Sequence, residues 1–263
     1  MVKKISLIVI MVLLLSSLAT GGLLDNDPFL AGTNGPVWAR NFEVLTYEVS
    51  FFGLKAGYAE FSYRGEQVEG DRTLYHIRAK IWTTGLVKFF KEIVDEFDYF
   101  VDSKSLLPYK VIVNQNESDR KVNKIVYYDQ EKGLLEHFDL EGKKIKDFVA
   151  VPQIFDSITV AYYLRTKELS EEPTNVNVYG GRKVYSIDVK MQGNRKVKTD
   201  IGVFDTLEIK PIVKYEGAVM EDRDVTAWLI NDGSNIPLLV HAKIKVGTLT
   251  GELKSIGRGR EDG

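Results

Sequence analysis

The chain contains no cysteine in 263 residues. A disulfide framework, thiolate metal sites, a thiol nucleophile and a lipid anchor on a post-signal cysteine are therefore all excluded, and a packed core must hold the fold. Histidine is scarce: His76, His137 and His241 stand far apart, with no metal-ligand spacing, and read as surface residues. Net charge is also small. Thirty-five Lys and Arg against 37 Asp and Glu leave a formal −2, which gives no bulk attraction for nucleic acid or an anionic surface. Basic runs such as Arg195-Lys196-Val197-Lys198 read as a solvated strand face. Finally, only one long apolar run occurs, at the beginning of the chain, so no second membrane span is expected.

That first run has a definite layout. Lys3-Lys4 is a basic start, Ile5 to Leu15 is apolar apart from Ser6, and Ser16, Ser17, Ala19, Thr20, Gly21 and Gly22 follow. This predicts a secretory signal over residues 1–21, cleaved after Ala19 or Gly21. The alternative is an uncleaved anchor, because no charge occurs from Ile5 to Leu24 and about 20 apolar residues can span a bilayer. Either way the expected location is periplasmic or otherwise extracytoplasmic, and the membrane is met only through this segment. Residues 22–40, rich in Asp, Asn, Pro and Gly, read as a linker onto which Phe29 and Trp38 can pack. Residues 41–256 read as a single β-rich domain, and 257–263 as a polar tail.

Within the domain, period-two alternation dominates. Leu45, Tyr47, Val49 and Phe51 share one face, and Thr46, Glu48 and Ser50 the other. The same style marks strands at 59–63, 75–81, 93–101, 109–115, 122–128, 134–140, 176–179, 184–191, 207–213, 225–230, 238–246 and 249–255. Short turns between them imply antiparallel pairing. Two hairpins echo each other: Asp102 to Pro108 and Asp232 to Pro237 each begin on Asp and place Pro at the entrance to a strand.

One segment breaks the alternation. Asp156 to Arg165 reads as a helix, with Asp156 capping its first amides and Arg165 suiting its last turn. Its interior (Ile158, Val160, Ala161, Tyr162, Tyr163, Leu164) is apolar nearly all round, which implies burial. A strand is the competing reading, given Val160, Tyr162 and Tyr163. Gly85 to Lys91 reads as a second, shorter helical turn. The expected fold class is thus mainly β, an open, strongly curved antiparallel sheet (half-barrel) with one buried helix in its hollow.

The Tyr47 to Gly57 strand-turn, the Leu107-Pro108 hairpin, the Asp156 to Arg165 segment, the Trp228 to Pro237 hairpin, Lys243 to Gly247 and Gly251-Glu252-Leu253 occur in an order that resembles domain-of-unknown-function family 3108 of exported bacterial proteins. The resemblance covers about Phe42 to Ser255. The strand-Asp-x-x-x-x-Pro-strand hairpins are also similar, at fold level, to lipoprotein carriers of the LolA/LolB type. That likeness implies an open sheet with helices in its hollow, holding acyl chains.

No nucleophile elbow, zinc-protease helix or phosphate loop occurs. The carboxylate groups Asp95, Glu96, Asp98 and Glu221, Asp222, Asp224 read as solvated charge rather than as a glycosidase pair. The expectation is therefore a protein that is not an enzyme, with no catalytic residue, metal or cofactor. It is read as a binding or carrier module for an apolar, lipid-like ligand, with Tyr162, Tyr163 and Arg165 as polar-tipped lining of its cavity. The alternative is a structural or assembly protein of the envelope that docks a protein partner by its sheet edge or rim. Nucleic acid is not an expected partner.

Overall fold

A computed structural model describes residues 35–180, 182–220, 224–244 and 247–259. The signal segment and its cleavage sites, Phe29 and the Glu221-Asp222 pair lie outside the described residues. Among the described residues the chain is mainly β, with three short helices: α1 (Val37–Arg40), α2 (Gly85–Phe90) and α3 (Thr159–Leu164). No helix among them is long and apolar enough to cross a membrane.

The eighteen strands are β1 (Glu43–Phe51), β2 (Leu54–Glu69), β3 (Arg72–Thr83), β4 (Ile93–Asp102), β5 (Pro108–Glu117), β6 (Arg120–Asp129), β7 (Leu134–Phe138), β8 (Lys144–Val149), β9 (Ile154–Asp156), β10 (Thr174–Gly180), β11 (Lys183–Val189), β12 (Met191–Thr199), β13 (Gly202–Ile209), β14 (Ile212–Tyr215), β15 (Ala218–Val219), β16 (Asp224–Ile230), β17 (Pro237–Ile244) and β18 (Gly247–Arg258). Thirteen of them follow one hydrogen-bonded order, β12-β13-β16-β17-β18-β1-β2-β3-β4-β5-β6-β7-β8, and a second sheet follows β15-β14-β11-β10-β9. The large sheet is antiparallel and open, as its alternation implies: β12 and β8 are its two edges.

The chain divides into two compact units, with boundaries among the described residues inside β1, β2, β9 and β18. The larger part of β1 to β8, with the end of β18, forms one of them. Its hairpins are set by turn chemistry. Gly70, at φ +65°, begins the Gly70-Asp71 connection between β2 and β3, where an L side chain is disfavoured. Alternate positions then line one apolar face: Leu45, Tyr47, Phe61, Tyr63, Ile77, Ala79, Ile81, Ile93, Phe97, Tyr99, Val111, Val113, Val126 and Leu135 are all buried. At Gly57 the backbone of β3 leaves no room for a side chain, since a Cβ there would collide with the Trp82 carbonyl oxygen. Residues 37–40, expected as linker, instead form α1. The cause is Trp38, which is 2% exposed and packs edge-on against Tyr63 and Tyr75, with ring centroids 5.6 and 5.4 Å away. The expected polar tail also begins later than predicted, because Gly257 and Arg258 continue β18 and the Gly259 amide donates to the Phe42 carbonyl at 2.6 Å.

The other unit holds α3, the second sheet and β12, β13, β16, β17 and the start of β18. Two predicted strands are each split here. Residues 184–191 divide after Val189, and 207–213 divide after Ile209, each half joining a different sheet. Pro211 explains the second break, since it offers no amide to continue the ladder. Strand β8 was not legible in sequence, because its Lys144 to Val149 run is exposed almost throughout and so has no buried alternate face to print a pattern.

Candidate functional site

The segment around α3 is built from its cap outward. Asp156 ends β9, and its Oδ1 accepts hydrogen bonds from the amides of Ile158 (2.7 Å) and Thr159 (3.1 Å), while Oδ2 accepts from the Thr159 hydroxyl (3.1 Å). Asp156 thus accepts from amides at the helix entrance, but it stands two residues before the N-cap, Ile158, and the helix is shorter than Asp156 to Arg165. Because the aspartate is still extended strand, helical geometry begins at Thr159, and Arg165 is the C-terminal cap residue. Burial pushes the Asp156 carboxyl up to about 6, against the pull of those three donors.

That shift has a signed consequence. A raised acid pKa means that protonation favours the folded state. The extra stability is full below the ordinary value of 3.8 and is lost as pH rises through about 6. The shift corresponds to about 2–3 kcal/mol. Asp156→Asn keeps an acceptor but cannot titrate. The expected result is that wild type gains stability relative to Asp156→Asn when urea unfolding is compared at pH 7.5 and pH 4.5. Parallel profiles for the two proteins would show that Asp156 does not titrate in this window.

Of the three predicted lining residues, Tyr162 and Arg165 are 5% exposed. They are brought together: the Arg165 guanidinium lies 5.6 Å from the Tyr162 ring centroid. Arg165 Nε also donates to the Ser234 carbonyl at 3.2 Å, which ties α3 to the turn between β16 and β17. Tyr163 points elsewhere and stays half-buried. Its ring packs at a tilt against Phe155, with centroids 4.6 Å apart, and the Lys167 ammonium lies 4.6 Å from its centroid. The helix is therefore buried on most of its circumference, with one aromatic edge open beside a cation.

The Ser234 turn repeats the geometry of its sequence echo. Asp102 Oδ1 accepts from the amides of Lys104 and Ser105 and from the Ser105 hydroxyl, and Asp232 Oδ1 accepts from the amide and hydroxyl of Ser234. Side-chain turns of this kind fix hairpins, so the echo is explained by turn stereochemistry.

Two expectations about titratable groups are corrected. Asp95 and Asp98 are buried, at 0% and 7% exposure, because both lie in β4 between paired strands. Asp95 faces the apolar side, where burial pushes its carboxyl up, opposed by Gln115 and the Asn116 amide and reinforced by Glu117. For Asp98 burial acts upward too, but His76 and Arg78 outweigh it and hold the carboxyl below the usual range. His76 Nε2 is 2.7 Å from Asp98 Oδ1, Arg78 Nε is 2.9 Å from the same oxygen, and the His76 ring stacks on Phe100. His137 is fully buried rather than superficial, since its position in β7 belongs to the apolar face with Leu135. His241 is half-buried, and burial lowers its imidazole. Among the described residues no group of three or more His, Cys, Asp or Glu is placed to hold a metal ion.

A family model described as "Protein of unknown function (DUF3108)" matches residues 46–254. Among solved structures, the β-barrel-like protein of domain of unknown function DUF1849 from Brucella abortus is similar, with a TM-score of 0.54 and 9% identity over 81% of this chain and 96% of that one. A protein of YmcC-like fold, BF2203 from Bacteroides fragilis NCTC 9343, aligns with a TM-score of 0.34 and 9% identity over 85% of this chain and 98% of that one. No curated protein matches the chain. At such identity the first of these likenesses bears on fold alone.

Proposed function

The chain belongs to this family of unknown function, and from that premise we propose that it is a non-enzymatic, extracytoplasmic module that binds an apolar or amphipathic, lipid-like ligand. The observation that carries the reading is the open edge of α3. There the half-exposed ring of Tyr163 is backed by the buried ring of Phe155, and Lys167 stands beside it. An aromatic surface next to an ammonium suits a molecule with an apolar body and an anionic head. Tyr162 and Arg165 supply the polar tips behind it. The basic start at Lys3-Lys4 and the apolar run after it support the location.

Displacement of a fluorescent fatty acid, with native mass spectrometry of the purified chain, tests this. Saturable binding is expected, weakened by Tyr163→Ala. If binding is absent and no lipid copurifies, the alternative of docking a protein partner is the better account. One observation favours that alternative: β8 is a sheet edge exposed along nearly its whole length, with Ile145 and Val149 open to solvent.

A further inference from the structure

We propose that α2 is a bilayer-docking tip, which seats Leu86, Phe89 and Phe90 in the headgroup–acyl boundary of an anionic lipid surface. The three side chains are 79, 85 and 81% exposed, and the two phenylalanines exceed every other large apolar residue among those described. Neighbouring connections in the same unit are built differently. Gly70-Asp71 joins β2 to β3 and Ser118-Asp119 joins β5 to β6, both short and polar. The connection from β3 to β4 instead runs from Thr84 to Glu92 and carries the most apolar surface of the unit at its crest.

The tip is held rather than loose. Thr83 Oγ1 donates to the Lys91 carbonyl at 3.1 Å and accepts from the Ile93 amide at 3.0 Å. Ser118 and Glu92 exchange hydrogen bonds across the base, and Lys91 Nζ pairs with the buried carboxylate of Glu117 at 2.7 Å. The base of the connection is thus held in place, which lowers the ordering cost of binding.

Its shape and charge select the occupant. The Phe89 and Phe90 rings meet edge-on at 5.5 Å and both stand in solvent, a shape around which a fluid interface can close. From Gly85 to Lys91 there are two lysines and no acid. Lys88 pairs with Glu92 at 3.2 Å, but both are more than half exposed, so that pair is weak and its ammonium can turn to a lipid phosphate. Phenylalanine below and lysine at the rim is the arrangement that an anionic interface favours. This surface is distinct from the α3 edge, and the two readings fail separately.

The absence of cysteine gives a clean test, because one introduced thiol can carry an environment-sensitive fluorophore. Leu86→Cys places the label on the crest. Val68→Cys, near the opposite end of β3 and 77% exposed, is the control and also discounts binding through the apolar N-terminal run. With phosphatidylglycerol-rich vesicles the label at 86 is expected to blue-shift, less so in high salt, while the label at 68 stays unchanged. Phe89→Ser with Phe90→Ser, in the Leu86→Cys background, should weaken the response by about a hundredfold in vesicle concentration. An unchanged label at 86 overturns the proposal. So does a blue shift that depends on protein concentration without vesicles, which would make the occupant a second copy of the chain.

Discussion

Tyr162→Asp is expected to abolish the cooperative unfolding transition. The residue is 5% exposed at the centre of α3, between Ala161 and Leu164, which are themselves buried. The substitution removes an aromatic ring from a packed site, at about 3–5 kcal/mol. It also puts a carboxyl group where water does not reach, and a buried polar group without a compensating bond costs several kcal/mol more, so the total is about 5 kcal/mol or greater. Whole domains are stable by only about 5–15 kcal/mol. Tyr162→Phe keeps the ring and should lose far less than Tyr162→Asp. Circular dichroism melts of the three proteins decide the matter. A wild-type melt for Tyr162→Asp would mean that α3 is peripheral to the unit that contains it.

Trp38→Ala is expected to cost about 3–5 kcal/mol, an unusual price for a residue from a stretch that reads as linker. Its ring meets Tyr63 from β2 and Tyr75 from β3 edge to face, and Tyr63 is met in turn by Phe42 at 5.4 Å. One tryptophan therefore closes an aromatic cluster over one end of the apolar face. Urea unfolding should give a lower midpoint with Trp38→Phe lying between wild type and Trp38→Ala. A midpoint for Trp38→Ala equal to wild type would show that the cluster closes without it.

Much of the sheet was legible because burial on one face writes itself into every second residue. The strands from β4 to β6 lie within about two residues of their expected limits for that reason, and β3 extends beyond its expected span at both ends. Strand β8 was silent because neither face is buried, and the break at Pro211 was overlooked because Leu207, Ile209 and Val213 keep the alternation on both sides of it. The role of Asp156 at the entrance to α3 was legible, since aspartate before a helical run has one familiar use, but the helix length was not: Asp156, Ser157 and Ile158 read equally well as helix start or strand exit. Of the candidate site, sequence identified the tyrosines and Arg165 but not their different surroundings. Tyr162 and Tyr163 are adjacent and chemically identical, and only packing separates the closed side from the open one. The burial of Asp95 and His137 was invisible for a related reason. A polar residue on an apolar face looks like an interruption of the pattern until its neighbours are seen.

The neighbouring of β1 and β18 has a consequence for how the chain is made. Beside β2, the first strand has its other flanking partner in β18, which begins at Gly247, some two hundred positions later. A contact of such sequence separation forms late and slowly. While the polypeptide is still being synthesised, β1 keeps one unsatisfied border, and the unit that contains it stays incomplete until the ribosome has delivered β18. Such a nascent chain remains threadable for longer than one whose neighbours in space are neighbours in sequence. A stop codon after Glu252 should therefore leave a product that proteases degrade, although it would lack none of the residues around α3.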